Sequence, residues 1–203
     1  MLLKLYSKHN DQNDIDLIIE TINSGGLIIF PTDTAYAIGC HALKERPIEK
    51  ICRIKGLNAL KHRFSIVSHD LSSLSQYVRI DNNAFKLIKK NLPGPFTFVL
   101  PAGSRLPKIF KNRKEVGIRI PDNAIIQEIC RQLDSPILST TVPYNDSDDL
   151  GYLTDPELIY ERLGNDVDII IDGGIGGYEY STIVYCVEGE CEIIRQGKGL
   201  LNL

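Results

Sequence analysis

No stretch of the 203-residue chain approaches 18 consecutive apolar positions, and its start, MLLKLYSKHNDQND, has no basic segment leading into a long apolar one. Neither a membrane span nor a secretory signal is supported, so a cytoplasmic protein with no membrane partner is expected. The cysteines are five, an odd number, and Cys40, Cys52, Cys130, Cys186 and Cys191 show no C-x-x-C spacing. That argues against a disulfide framework or a zinc site, and all five are expected to be reduced and structural. His9, His41, His62 and His69 form no H-x-x-x-H pattern, which leaves a zinc hydrolase without support. Walker A is absent too. The glycines of DGGIGGY (172–178) follow a strand but precede another strand instead of a helix, so they read as a turn and not as a dinucleotide fingerprint.

What the chain does have is enough apolar residue, 43%, to bury one sizeable core, and a single domain over 1–203 is expected. The net charge of −3 conceals a segregation: residues 44–119 hold 17 Lys/Arg against five Asp/Glu, while 120–203 hold four against 16. Part of the basic excess is the solvated face of helices, as in FKLIKKN. The remainder suggests an anionic partner, a nucleotide or a nucleic acid, bound electrostatically because the basic segment has no interleaved aromatic stripe.

Hydrophobic periodicity predicts mixed α/β structure without strict βαβ alternation. Ile15, Ile18, Ile19 and Ile22 mark a helix over 14–24 that Gly25 and Gly26 stop. A second helix starts near Pro47, buries Ile48, Ile51 and Cys52 and ends at Lys55-Gly56. Leu71 begins a short helix with SHD (68–70) as its cap, Asp81 caps a helix burying Ala84, Phe85 and Ile88, and Asn123 caps one burying Ile126, Ile129 and Cys130. Thr154 and Glu157 are spaced as a capping box for another. Strands are predicted at 27–30, 65–67, 96–100, 116–120, 137–142, 167–171, 182–187 and 192–195. Two of them, 27–30 and 137–142, run into hydroxyl-rich ends, which points to one shared pocket at a sheet edge. Arg119, inside a strand, must face solvent or find a partner, since a lone buried guanidinium is prohibitive.

Hydroxyls, lysines and arginines without an obvious base or nucleophile suit catalysis by positioning and charge neutralisation, as at phosphorus. Seven segments, GGLIIFPTDTAYAIGCHA, ICRIKG, LPGPFTFVLPA, VGIRIP, ILSTT, STIV and IIRQGKG, stand in the order found in the YrdC/YciO family of threonylcarbamoyl-adenylate synthase-like proteins, which the chain resembles over about residues 12–199. The resemblance implies a single twisted, open mixed sheet flanked by helices, with a positively charged concavity. It also implies ATP, bicarbonate and L-threonine as substrates, any Mg2+ arriving with ATP and none held by the protein, and tRNA or double-stranded RNA as partners. By position, Thr32, Tyr36, Arg119 and Ser181 would take threonine, with Arg119 on its carboxylate. Lys55, Thr97, Ser139, Thr141 and Arg195 would take the nucleotide.

The chain departs from the synthase pattern twice. Leu57 stands where a K-x-R motif has arginine, and Pro143 where an S-x-N motif has asparagine. Both departures resemble the YciO branch; Lys61 and Arg63 are candidates to restore catalytic charge beside Lys55. Plainer roles stay open for several of these residues. Thr32 and Thr34 could close a turn, Tyr36 could line the core, Lys55 could simply complement a helix C-terminus, and Ser139 and Thr141 could be ordinary strand hydroxyls. Two readings follow: an adenylating enzyme, or a module that binds RNA or nucleotide without that chemistry.

Overall fold

The computed structural model describes residues 1–56, 64–106, 114–145, 148–187 and 189–203. Seventeen elements follow one another as β1 (Leu2–Lys4), α1 (Gln12–Ser24), β2 (Ile28–Phe30), β3 (Ala37–His41), α2 (Glu45–Ile54), β4 (Ser65–Val67), α3 (Leu71–Ser75), α4 (Asn82–Asn91), β5 (Phe96–Pro101), β6 (Glu115–Arg119), α5 (Ala124–Gln132), β7 (Ile137–Thr141), α6 (Gly151–Thr154), α7 (Pro156–Leu163), β8 (Ile169–Asp172), β9 (Thr182–Val187) and β10 (Glu190–Arg195). All ten strands join one open mixed sheet in the order β1-β8-β2-β3-β7-β4-β6-β5-β9-β10. Pairings are parallel at β1/β8, β2/β8, β4/β6 and β5/β9 and antiparallel elsewhere.

The period-2 alternation of the strands divides the core between the two faces. Ile28 and Phe30 of β2, with Ala37, Val67 and Ile137, pack beneath Ile15, Ile18 and Ile22 of α1 and Ile125, Ile126 and Ile129 of α5. Ile29, Ile38, Ile66, Phe98, Ile118 and Leu138 point to the opposite face, against Ile48 and Ile51 of α2, Leu74 of α3, Ile88 of α4 and Ile159 of α7. Helices α1 and α5 cover the β1-to-β3 side of their face and reach only Ile137 of β7 and Val67 of β4 beyond it. Across β7, β4, β6, β5 and β9 that face carries small and polar residues, and there the concavity opens.

Several sequence expectations are corrected here. Phe85 lies on the outer side of α4, 44% exposed with Lys89 Nζ 5.7 Å from its ring centroid, and Asn91 is buried beside Ala84 and Ile88. The Asn91 amide donates to Leu87 O and Asn202 O, which satisfies the buried polar side chain. Cys186 and Cys191 are joined in a disulfide, while Cys40, Cys52 and Cys130 are buried thiols outside it. The parity of the count carried no information about two residues that the β9/β10 ladder sets directly opposite each other. Strands β1 and β3 and helix α6 are not expected from the sequence pattern. Among the described residues no helix is long and apolar enough to cross a membrane.

The cap of α7 also differs by one residue. Asp155, not Thr154, accepts the Glu157 N–H at 2.9 Å, while the Thr154 hydroxyl donates back to Leu150 O at 3.1 Å. Asp155→Ala therefore lowers stability by about 1 kcal/mol in urea unfolding, and Thr154→Ala by less; the reverse order would contradict this cap.

Candidate functional site

A cavity of about 310 Å3 lies on the uncovered sheet face. Its floor follows from alternation. Ser65, Thr97, Val99, Gly117, Ser139 and Ile183 all project to one side, and the register places Ser65 beside both Gly117 and Ser139. Gly117 is required here by space: a Cβ would meet Ser65 Oγ and Thr97 Cγ2 at 2.9 Å each. The walls bring in Lys55 from the end of α2, Arg119 from β6, Thr141 from β7, Ser181 just before β9 and Arg195 from β10. Seven of the predicted site residues thus converge: Lys55, Thr97, Arg119, Ser139, Thr141, Ser181 and Arg195. Lys61, Arg63 and Leu57 lie outside the described residues.

Thr32 and Tyr36 are not part of the lining. The Thr32 hydroxyl donates to Ala35 O at 2.8 Å and accepts from Thr34 N at 3.0 Å, with Thr34 Oγ1 2.9 Å away, which fills its capacity. The Tyr36 phenol, in a fully buried side chain, donates to Gly174 O at 2.7 Å and accepts from Gly173 N at 3.1 Å; burial raises its pKa to about 12. Tyr36 fixes the DGGIGGY turn to the core.

Arg119 is the most constrained group in the cavity. Its Nη2 donates to Asp33 Oδ1 and to Thr34 Oγ1, both at 3.0 Å, and its buried Nε has no partner among the described residues. Since Thr34 Oγ1 accepts from Arg119 and Thr32 already donates to Ala35 O, the Thr34 hydroxyl proton goes to Thr32. The residue that sequence reasoning overlooked is Asp33. Its Oδ2 accepts from Asp122 N at 2.9 Å, and its main-chain oxygen accepts from Lys198 Nζ at 2.7 Å, so this one residue, through carboxylate and backbone, ties the β2–β3 loop to two others. The requirement that Arg119 find a partner was the available signal. Burial lowers the Arg119 pKa, Asp33 opposes that shift, and the nearby Arg195 cation adds to it.

The other cations are also anchored by protein oxygens. Lys55 donates to Thr141 O, and burial pushes its pKa from 10.5 down to about 8. Arg195 Nη2 donates to Ser181 O at 2.7 Å, and its guanidinium carbon lies 5.4 Å from the Tyr180 ring centroid. Ser181 Oγ and Thr97 Oγ1 are 2.8 Å apart. Of the carboxylates near these cations, Asp33 is engaged by Arg119, and Glu115 accepts from the Tyr185 hydroxyl. This donor set offers cations and hydroxyls to an anion and does not fit a protein-held Mg2+, which prefers free carboxylate oxygens.

The fold that carries this cavity is shared with a known group of proteins. The Sua5/YciO/YrdC family model, described as "Telomere recombination", matches residues 20–197, and the chain belongs to that family. It is 36% identical over 197 residues to Escherichia coli "Uncharacterized protein YciO", covering 96% of this chain and 94% of that protein. The E. coli YciO crystal structure superposes with a TM-score of 0.88 at 35% identity, over 98% of this chain and 96% of that one. A "Putative threonylcarbamoyl-AMP synthase" of Methanocaldococcus jannaschii is 32% identical over 201 residues, 97% of this chain and 92% of that protein. P. abyssi Sua5 complexed with L-threonine gives a TM-score of 0.87 at 25% identity, and the match spans 97% of this chain but 57% of that one. The protein is thus threonylcarbamoyl-AMP synthase-like in family and fold.

Lys55 supplies a pH test of the cavity. A bound anion raises the Lys55 pKa again, so binding near pH 8 to 9 draws in a proton. Affinity for sulfate, whose own charge is constant there, should fall by up to about tenfold between about pH 7 and pH 9. Lys55→Met should flatten that profile in calorimetric titrations; an unchanged slope would remove Lys55 from the anion site.

Proposed function

We propose that the cavity makes threonylcarbamoyl-AMP from ATP, bicarbonate and L-threonine, the activated donor for a modified adenosine in tRNA. One observation carries this reading: the cations Lys55, Arg119 and Arg195 and the hydroxyls of Ser65, Thr97, Ser139, Thr141 and Ser181 converge on one small cavity whose nearby carboxylates are already engaged. The L-threonine complex of the P. abyssi homologue and the synthase name of the M. jannaschii relative support it.

In this reading bicarbonate condenses with the threonine amine, losing water, to give a carbamate. A carbamate oxygen forms a bond to the α-phosphorus of ATP, the bond from that phosphorus to the bridging oxygen breaks, and pyrophosphate leaves. Arg119 holds the amino-acid carboxylate, oriented by Asp33. Lys55 and Arg195 neutralise charge on the phosphates, and the Thr97, Ser139, Thr141 and Ser181 hydroxyls position the reacting groups. Mg2+ enters as part of the ATP complex and neutralises phosphate charge. RNA, attracted by the excess of basic residues in the 44–119 sequence, meets the product outside the cavity.

A second reading, nucleotide or double-stranded RNA binding without turnover, is favoured by Leu57 and Pro143, which replace an arginine and an asparagine of the synthase pattern. Pyrophosphate release separates the two. The synthase reading requires release that depends on ATP, bicarbonate and threonine together. It also requires that Arg119→Lys raise the threonine KM by about tenfold or more, because lysine cannot keep Asp33 and also offer the guanidinium fork. Nucleotide binding without threonine-dependent release would favour the second reading, and Leu57→Arg with Pro143→Asn should then raise release.

A further inference from the structure

The β9/β10 hairpin forms one edge of the sheet, and β10 pairs only with β9 among the described residues. Its turn is tight, with Gly189 at φ +87°, and Cys186 faces Cys191 across the ladder with their Cα atoms 4.2 Å apart. The two sulfurs are not equally accessible: Cys186 is 1% exposed, whereas Cys191 is half-buried. Helices cover little of β10, so Glu192, Ile193, Ile194 and Arg195 are all exposed. The strand therefore has little apolar burial to hold it, and the disulfide pins it near the turn.

Both strands of this hairpin reach the cavity. Ile183 of β9 and Arg195 of β10 line it, and Tyr185, next to Cys186, donates its hydroxyl to Glu115 in the wall. The opposite end of β10 is fixed by Thr182 Oγ1, which accepts from Gly197 N at 3.0 Å. Loosening the turn end would act on Tyr185 and on the freedom of Arg195, and would leave the rest of the sheet intact.

We propose that Cys191 is a thiol–disulfide exchange site for a small dithiol, and that the oxidised hairpin holds the cavity wall in its binding form. A thiolate of the dithiol attacks the Cys191 sulfur, forming a mixed disulfide and expelling Cys186, which takes up a proton. The second thiol attacks the mixed disulfide and releases Cys191, so two protein thiols form as the dithiol is oxidised to its cyclic disulfide. A monothiol is less effective, because Cys186 sits opposite and closes the bond again. The remaining cysteines do not compete: Cys40, Cys52 and Cys130 are all buried.

The test compares the full chain in air-oxidised and dithiothreitol-reduced forms. The oxidised protein should show three thiols when denatured without reductant, and the reduced protein five. Amide exchange across β10 should quicken about tenfold on reduction as local opening becomes easier, and ATP affinity should fall about threefold or more. Cys186→Ser/Cys191→Ser should match the reduced protein under both conditions. In single variants exposed to glutathione disulfide, Cys186→Ser should acquire one glutathione at Cys191, while Cys191→Ser, leaving only the buried Cys186, should not. Five thiols in the oxidised protein, equal β10 exchange and affinity in the two forms, or preferential labelling of Cys186 would each overturn the proposal. The affinity arm rests on the synthase reading. Failure of both forms to bind ATP would count against that reading, and thiol count, exchange and labelling would still decide the hairpin question.

Discussion

A guanidinium inside a sheet is the constraint around which the site is arranged. Arg119 is 8% exposed, on a strand whose neighbouring residue Ile118 is part of the core. Burying that charge alone would be prohibitive, and Asp33 is the group that offsets it. The pairing has consequences beyond one ion pair. It sets the path of the loop after β2, fixes Thr34 and through it Thr32, and brings the Asp122 and Lys198 segments to the same place. Removing one partner leaves the other buried and uncompensated, which is why the local structure on three segments depends on it.

The same physics accounts for the character of the cavity. Arg119, Arg195 and Lys55 are each tied to a protein oxygen, so they stand in position before any ligand arrives. Such preorganisation matters for reactions in which charge shifts among phosphate and carboxylate oxygens, because the stabilising dipoles need not reorient. The Arg195 cation lowers the Arg119 pKa and burial lowers that of Lys55, so an anion entering the cavity would favour the charged forms of both. The acidic segment 120–203 supplies half of the cavity lining, but through hydroxyls, apolar side chains and Arg195 and not through its carboxylates.

Elements with a clear period were legible from sequence. The isoleucines of α1, the caps Asp81 and Asn123, and strands β4 and β9 lie where the pattern placed them. What failed was information held in three dimensions. Strand β3 was not expected, because AIGCH lacks alternation and holds Gly39, yet that glycine is there since a Cβ would meet Ile137, Leu138 and Phe30 atoms at 2.8 Å. Arg119's need for a partner was visible, but Asp33 lies 86 positions away and nothing local connects the two. Phe85 fitted the helical period and still faces outward, while Asn91 is buried with its amide bonded to the C-terminal segment. The disulfide was hidden by counting cysteines where register was decisive.

A double-mutant cycle between Asp33→Ala and Arg119→Met, read by urea unfolding, tests the central claim most directly. If the buried pair organises this region, each single variant is destabilised by about 3 kcal/mol or more. The double variant should then be less destabilised than the sum by about 2 kcal/mol, since neither charge is left alone. Additive losses would mean that Asp33 and Arg119 act independently, and the site would have to be built on some other constraint.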